Sequence, residues 1–288
     1  MPELPEVETV RRGLAPVMEG ATFSRVRLKR KDLRFALPKS FAKRLEGAHI
    51  LSLSRRGKYM NAALSTGETL IMHLGMTGRF TIEEETASAP GRFHHEVAQL
   101  EKHDHVVFEV ARRDGRSARI FYNDARRFGF MDLSPTGALD QSRHFAGMGP
   151  EPLSEGFTET SFNAALKKRS APIKAALLDQ RVVAGVGNIY ACEALFRAKI
   201  SPRRKASSVA GVRARRLRLA VIAVLEEAIE AGGSTLRDFA ASDGALGYFQ
   251  HNFKVYGREA EPCPICKTPV KRLEQAGRST FFCGVCQR

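Results

Sequence analysis

The chain has 288 residues, of which 43% are hydrophobic, and its 46 lysines and arginines outnumber 31 acidic residues to give a formal charge of +15. This composition excludes a disordered chain, and no apolar run reaches the roughly 20 residues that span a bilayer. The positive excess favours a polyanionic partner such as nucleic acid, because neutralising phosphates releases counterions. The amino terminus lacks the basic-then-apolar pattern of a signal peptide, so we expect a cytoplasmic protein with reduced thiols and no membrane partner.

The first seven residues, Met1-Pro-Glu-Leu-Pro-Glu-Val7, allow two interpretations. In the structural one, Pro2 and Pro5 begin a helix and the glutamates complement its dipole. In the catalytic one, removal of Met1 leaves a secondary amine on Pro2, which is partly unprotonated at neutral pH. Such an amine attacks an aldehyde-like carbon to form a Schiff base, and Glu3 beside it would move protons.

Apolar spacing predicts the elements that follow. Residues 5–14 carry Val7, Val10 and Leu14 on one helical face, which predicts an amphipathic helix. From Ala21 to Leu133, short β-rich runs separated by Gly, Asn and Asp predict an antiparallel β-sandwich. These runs are 26–28, 50–53, 70–74, 106–110 and 120–122. The polar stretch 82–101 is expected to be a surface insertion.

A Pro/Gly-rich stretch, 148–153, separates strand periodicity from helix periodicity. Helical apolar spacing recurs around Ile173, Ile189 and Leu217, and the last of these helices is expected to end near Gly232. We therefore predict an α+β multidomain fold. Its parts are an N-terminal β-sandwich flanked by helices at 1–135, a linker at 136–153, a helical domain at 154–249 and a cysteine hairpin at 250–288.

The C-terminal region contains two C-x-x-C pairs, Cys263 with Cys266 and Cys283 with Cys286. Four thiolates on two tight turns form a tetrahedral site without an open position, which predicts one structural Zn²⁺. A redox dithiol is the alternative. A region this small lacks a core of its own, so zinc would hold it folded. Cys192 lies on an apolar helix face, where we expect a packed core residue.

Several basic or glycine-rich segments are candidates for phosphate binding. Gly185-Val-Gly-Asn188 opens a helix whose amides suit an anion, and Asn188 would cap this helix or bind a phosphate oxygen. Basic runs occur at 167–174 and 55–58, and the predicted hairpin carries Lys271, Arg272 and Arg278. The structural alternatives are a tight turn, solvated helix ends and a basic strand edge.

The segment from Pro2 to Glu8, PELPEVE, resembles the amino terminus of the bacterial formamidopyrimidine-DNA glycosylases, base-excision repair enzymes for oxidised purines. Residues 178–190 resemble the helix–two-turn–helix signature of that superfamily, and the cysteine hairpin resembles its zinc finger. The resemblance runs the full length, with five blocks in the family's order. Ala125 departs from it, because the family usually has proline before the twin arginines, and the loop there is expected to be less rigid.

This resemblance implies a bifunctional glycosylase and AP lyase. It assigns Pro2 the attack on the sugar C1′, Glu3 a proton transfer, and Lys58 a proton donation in the β- and δ-eliminations that cleave the strand. Arg278, near the hairpin tip, would clamp the phosphates of the lesion as part of the catalytic set. No redox cofactor or magnesium is implied, because the imine is the electron sink.

The resemblance also implies a set of DNA contacts. Flipping a nucleotide costs a few kcal/mol of stacking, and Met76, Arg126 and Phe128 would fill the gap that it leaves. Taken singly, Met76 and Phe128 also fit a core. The remaining contacts are His103, Arg169, Lys174 and Asn188. His103, in Lys-His-Asp-His, also fits a metal ligand or an ordinary surface histidine.

Leu4 and the stretch 243–249, which resembles a loop covering oxidised guanine, favour 8-oxoguanine and formamidopyrimidines as substrates. Within the same class, the alternative is the related endonuclease for oxidised pyrimidines. The alternative from another class of protein is a non-catalytic zinc-ribbon DNA-binding protein, in which the charge and the zinc site remain but Pro2 has no catalytic role. We expect a bacterial, monomeric enzyme whose partner is double-stranded DNA with a damaged base.

Overall fold

The computed structural model describes residues 1–84, 101–234 and 249–288. Most of the predicted insertion at 82–101, and residues 243–248 of the predicted covering loop, lie outside these ranges. The described chain forms two compact units. Unit 1 contains 1–2, 6–84 and 101–145, and unit 2 contains 3–5, 146–234 and 249–288. No helix within the described ranges has both the length and the apolarity to cross a membrane.

Unit 1 is built from two four-stranded antiparallel sheets. One sheet has the order β1 (Thr22–Leu28), β6 (Asp104–Ala111), β7 (Ser117–Asn123) and β5 (Arg79–Glu84). The other has the order β2 (Ile50–Arg56), β3 (Tyr59–Leu64), β4 (Glu68–His73) and β8 (Phe130–Pro135). Helix α1 (Leu4–Met18) and the short helix α2 (Phe41–Leu45) complete the elements before β2.

A single apolar core joins the two sheets and α1. Phe23 and Phe108 of one sheet, Met60 and Leu70 of the other, and Leu14 of α1 are all buried in it. Alternating side chains of facing sheets form such a core. The predicted β-sandwich is therefore confirmed.

Three strands, β3, β5 and β8, are absent from the sequence prediction. Their sequences, YMNAAL, RFTIEE and FMDLSP, carry alanines, acids or a proline where β-branched residues usually mark a strand. Pairing with neighbouring strands forms them despite this composition. Strand β5 also includes residues 82–84, the start of the predicted insertion.

Unit 2 contains the helices α3 (Glu159–Lys167), α4 (Ile173–Leu178), α5 (Asn188–Arg197) and α6 (Val212–Glu230). Helix α6 buries Leu217, Val221 and Leu225, and it ends before Gly232, whose φ of +74° ordinary side chains rarely adopt. The predicted end of this helix is therefore confirmed. On α5, the Glu193 carboxylate accepts backbone hydrogen bonds from Lys254 at 3.0 Å, Val255 at 3.0 Å and Tyr256 at 2.8 Å.

The C-terminal hairpin pairs β9 (Lys271–Gln275) with β10 (Arg278–Phe282). Ala276 and Gly277, at φ +50° and +67°, connect the strands, as the two-residue turns of tight hairpins require. Cys192 packs in a small core with Cys263 and Cys283, and burial raises the pKa of its thiol to about 11. The predictions of a cysteine hairpin and of a packed Cys192 are both confirmed, as is the α+β class.

Candidate functional site

Unit 1 contains a cavity of about 610 Å³ to which Met1 contributes. Met76, Arg126 and Phe128, the three residues predicted to fill the gap that a flipped-out nucleotide leaves, line this same cavity. Its lining includes Met1, Asp32, Arg34, His73, Met76, Arg126 and Phe128. Residues scattered over more than a hundred positions of sequence are thus brought together around the first residue of the chain.

Two loops supply the predicted gap-filling residues. Phe128 is 43% exposed, and the Arg126 guanidinium lies 4.7 Å from the centroid of its ring. Between them, Arg127 has a φ of +54°. An apolar ring that stays exposed and stacks with a cation suits a wedge between bases better than a core residue.

Asp124, fully buried, fastens the two loops to each other. One of its oxygens accepts from the Thr77 hydroxyl at 2.5 Å, and the other accepts from the Gly129 amide at 2.8 Å. A side chain on Gly75 would clash with the Phe128–Gly129 backbone, so only glycine allows this close approach. The loop after Ala125 is thus held by Asp124 rather than by a proline.

Lys58 lies between β2 and β3 and is 8% exposed. His73, which lines the cavity, has its pKa lowered to about 4, first by burial and then by the positive charges of Lys58 and Arg34. The charge of Lys58 therefore acts on a residue of the cavity wall. His73 Nδ1 accepts from the Gly75 amide at 3.0 Å, which fixes a neutral ring with its proton on Nε2. A neutral donor and a lysine are therefore close to the same cavity.

His103 lies just before β6 and is half-buried. Its carbonyl accepts from the Asp124 amide at 3.1 Å, so it is joined to the residue that fastens the two loops. Among the described residues, the metal-binding geometry found at the cysteines does not include His103 or His105.

In unit 2, the carboxylate of Glu3 is buried against the start of α5. Its Oε1 accepts from the Ile189 amide at 2.9 Å, and its Oε2 lies 3.5 Å from the Tyr190 amide. A side chain on Gly187 would clash with this carboxylate. The amides expected to bind phosphate therefore hold Glu3, an anion suited to the positive end of a helix.

Asn188 does not cap α5, so that part of the prediction is wrong: Gly187 occupies the cap, and no side chain bonds it. Instead, the Asn188 side-chain amide donates to the Ser279 carbonyl at 2.9 Å. The Lys174 ammonium donates to the same carbonyl at 3.0 Å and to the Thr280 hydroxyl at 2.7 Å. Both side chains thus fasten strand β10, which begins at Arg278.

Lys174 is fully buried, and burial, together with the Arg278 charge, lowers its pKa. Arg278 itself is exposed directly after the hairpin turn. Arg169 is partly exposed and forms an ion pair of 2.8 Å with Asp179. Hydrogen bonds first from Arg181 and then from Arg169 lower the pKa of Asp179 to about 2.

The four predicted zinc ligands have sulfur atoms within 4.8 Å of one another. The Cys263–Cys286 and Cys266–Cys283 sulfur pairs are 3.9 and 3.4 Å apart. A tetrahedral Zn²⁺ with bonds of about 2.3 Å separates its sulfurs by about 3.8 Å, so the cluster fits this ion. The Cys286 amide also points at the Cys283 sulfur, at 3.4 Å, which suits a thiolate.

The sequence did not single out His73, Arg34 or Asp124. His73 is adjacent to Leu74-Gly75-Met76, so the motif that identified Met76 could also have identified it. Arg34 and Asp124 carry no such signal, because their importance depends on loops that meet only in the folded chain.

Comparison with known proteins places these features in one family. Residues 1–131 match the formamidopyrimidine-DNA glycosylase N-terminal domain, 148–240 its H2TH domain, and 260–288 a zinc finger found in FPG and IleRS. The formamidopyrimidine-DNA glycosylases of Caulobacter sp. strain K31 and Brucella ovis are 58% and 56% identical to this chain, each over 100% of both chains.

Solved structures agree with the sequence relatives. The MutM (Fpg) protein of Thermus thermophilus has a TM-score of 0.83 and 44% identity, covering 99% of this chain and 98% of its own. A Lactococcus lactis Fpg mutant bound to Fapy-dG DNA has a TM-score of 0.85 and 35% identity over 100% of both chains. The wild-type Lactococcus protein with oxidised-pyrimidine DNA has a TM-score of 0.84 and 34% identity, also over 100% of both.

Zinc content tests the cysteine assignment. We expect one Zn²⁺ per chain, released by a strong chelator, because the four sulfurs form a single site. Cys266→Ser is expected to lower this content, whereas Cys192→Ser, at a buried cysteine outside the cluster, is expected to leave it at one. Metal analysis of the purified variants measures both. Zinc loss on changing Cys192 alone would contradict the assignment.

Acid sensitivity tests the environment of His73. Its pKa is about 4 in the folded chain against an ordinary 6.5. Between these values the unfolded chain binds the extra proton, so the stability that neutral His73 allows is complete above pH 6.5 and is lost as the pH falls towards 4. We expect His73→Asn, which keeps an acceptor for the Gly75 amide, to flatten the pH dependence of the unfolding free energy in this range.

The exposed His49→Asn is the matched control and is expected to leave the slope as in the unchanged chain. Urea unfolding at a series of pH values measures all three proteins. Identical slopes for the His73 variant and the unchanged chain would show that His73 is not held neutral by its surroundings.

Proposed function

Because the chain belongs to the formamidopyrimidine-DNA glycosylase family, we propose that it excises oxidised purines from duplex DNA and then cleaves the strand by β,δ-elimination. The observation that carries this proposal is the cavity shared by Met1, Met76, Arg126 and Phe128. A chain whose first residue lines a cavity with an exposed aromatic wedge is suited to covalent chemistry on a flipped nucleotide. We propose that the enzyme acts as a monomer.

The proposed nucleophile is the Pro2 nitrogen once Met1 has been removed. This secondary amine attacks C1′ of the damaged nucleotide, and the base leaves with the electrons of the N-glycosidic bond and takes up a proton. Opening of the sugar ring, with proton transfer by Glu3, yields the imine. The imine then accepts the electrons of the C2′–H bond, and two successive phosphate departures break the strand, with Lys58 as proton donor.

Chemistry of this kind requires an amine and an acid held close together. The Glu3 carboxylate is fixed by the Ile189 amide at 2.9 Å, and it immediately follows Pro2 in the chain. The charge of Lys58 acts on His73, which lines the cavity together with Met1. These arrangements support the proposed roles of Glu3 and Lys58.

We propose that Arg278, Asn188, Arg169 and His103 contact the DNA backbone, while Met76, Arg126 and Phe128 occupy the gap in the helix. Lys174 contributes differently. Its ammonium is buried and already bonded to Ser279 and Thr280, so we propose that it supports DNA binding by holding the strand that starts at Arg278.

Oxidised pyrimidines are a second candidate substrate class. The observation in their favour is that the Lactococcus relative has been solved with oxidised-pyrimidine DNA as well as with Fapy-dG DNA. Excision rates on matched duplexes with either lesion would rank the two classes.

Borohydride trapping tests the nucleophile. With processed protein and a duplex containing 8-oxoguanine opposite cytosine, we expect a covalent adduct that maps to Pro2 by mass spectrometry, because borohydride reduces an imine to a stable amine. The adduct is expected to fall strongly in Pro2→Gly and to be absent from protein that retains Met1, whose Pro2 nitrogen is an amide. Tight, salt-sensitive binding with no adduct would contradict the enzyme proposal and leave a DNA-binding protein.

Gly187→Ala tests the position of Glu3. The new methyl group would clash with the Glu3 carboxylate and displace it, and small displacements of catalytic groups cost about 10²-fold in rate. We expect single-turnover base excision to slow by about that factor at saturating enzyme. Gly137→Ala is the matched control, because a methyl group there meets no atom within 4 Å. Equal rates for the two variants would contradict the proposed role of Glu3.

A further inference from the structure

A second basic surface lies in unit 2, apart from the residues assigned above. Between Leu195 and Leu225 the sequence has basic residues but no aspartate or glutamate. Five of these side chains are exposed and make no hydrogen bond or ion pair with any residue in the described ranges. One is Lys199, which lines a cavity together with Glu193, Glu227 and Glu230. The other four are Arg203, Lys205, Arg213 and Arg216, here called the α6 strip.

Other basic side chains in the same segment do have partners. Arg197 pairs with Glu227 at 2.7 Å, and Arg215 pairs with Glu159 at 3.6 Å. Arg218 bonds the Phe157 carbonyl and lies over its ring. The α6 strip is therefore a group of exposed positive charges that have no acidic partner among the described residues.

The charges of the strip do not stabilise the helix that carries two of them. Arg213 and Arg216 lie in the first turns of α6, where the helix dipole is positive and cations are unfavourable. The first turn contains no acid, and no side chain caps it. An anion bound across the strip would offset this repulsion.

Backbone hydrogen bonds join the strip to the segment proposed to contact DNA. The Ile173 amide donates to the Arg204 carbonyl at 2.7 Å, the Ala206 amide to the Ala171 carbonyl at 2.9 Å, and the Ser207 amide to the Arg169 carbonyl at 3.0 Å. The Gly211 amide then donates to the Asn163 side chain at 2.7 Å, which ties the start of α6 to α3. These bonds hold residues 204–207 beside residues 169–173, and they hold the start of α6 beside α3.

We propose that the α6 strip is an additional phosphate-binding surface that engages the flank of the duplex, beyond the damaged nucleotide. It rests on the proposed function, which supplies duplex DNA as the polyanion. Arg213 and Arg216 are one turn apart on the same helix face, so they can contact neighbouring phosphates of one strand. The strip adds affinity for long DNA without taking part in catalysis.

An acidic polypeptide is the competing partner, because Val212 and Leu219 beside the strip are 84% and 53% exposed and could anchor apolar side chains. The backbone connection to Arg169 favours DNA.

The test measures how binding depends on salt for Arg213→Gln/Arg216→Gln. Each lost phosphate contact lowers the slope of log K against log salt by about 0.9, so we expect a drop of about 1.8 on a duplex of about 30 base pairs. On a lesion duplex of about 12 base pairs, roughly one helical turn, we expect no change. Single-turnover excision on the short duplex is expected to be unaffected.

Arg25→Gln/Lys39→Gln is the matched control, because it removes two exposed positive charges from unit 1. It is expected to leave both slopes unchanged. An undamaged long duplex is measured as well, so the strip is tested even if excision itself is not observed; failure of excision would overturn the proposed function and not the strip.

Three results would overturn the α6 strip. The first is an unchanged slope on the long duplex. The second is an equal drop on the short duplex, which would place these arginines at the lesion. The third is loss of poly-glutamate binding in the variant while long-duplex binding is retained, which would identify an acidic polypeptide as the partner.

Discussion

The buried carboxylate of Glu3 at the start of α5 is the interaction on which the proposed chemistry depends. A hydrogen bond to a charged group contributes about 1.5–3 kcal/mol net, whereas burying a carboxylate costs several, so this contact is better understood as positioning than as stabilisation. It holds the residue that follows the proposed nucleophile, and it exists because residue 187 has no side chain. A glycine whose sequence context indicates only an ordinary turn is thereby part of the proposed catalytic geometry.

Asp124 plays a comparable part in unit 1. By accepting from Thr77 and from Gly129, it joins the loop that carries Met76 to the loop that carries Phe128. Phe128, the proposed wedge, is therefore carried by a loop that Asp124 fastens to its neighbour, as a side chain proposed to enter a base stack requires. Burial raises the pKa of Tyr122 well above its ordinary value, and the Asp124 carboxylate raises it further. The Tyr122 side chain therefore remains a neutral phenol.

The sequence predicts those features whose signal is local. Spacing along the chain predicts the cysteine site from its C-x-x-C pairs, and the helices α1 and α6 from their apolar periodicity. Short runs rich in β-branched residues predict several of the sandwich strands. It does not predict the partner of Glu3, which lies 186 residues away, or the burial of Lys174 beneath a strand that begins 104 positions later. Asn188 shows the limit most clearly. An asparagine at a helix start suggests a cap, yet its side-chain amide donates to the Ser279 carbonyl of the hairpin strand β10.

The ten-residue helix α5 has a consequence for how the chain is made. Its first turn binds Glu3, and its Glu193 binds the backbone of residues 254–256, so it joins a contact from the very beginning of the chain to one near its end. During synthesis Glu3 cannot make its contact with α5 until more than half of the protein has left the ribosome. Contacts of such long range form slowly, so the contact of Glu3 with α5 is expected to form late, after the sandwich core that includes α1.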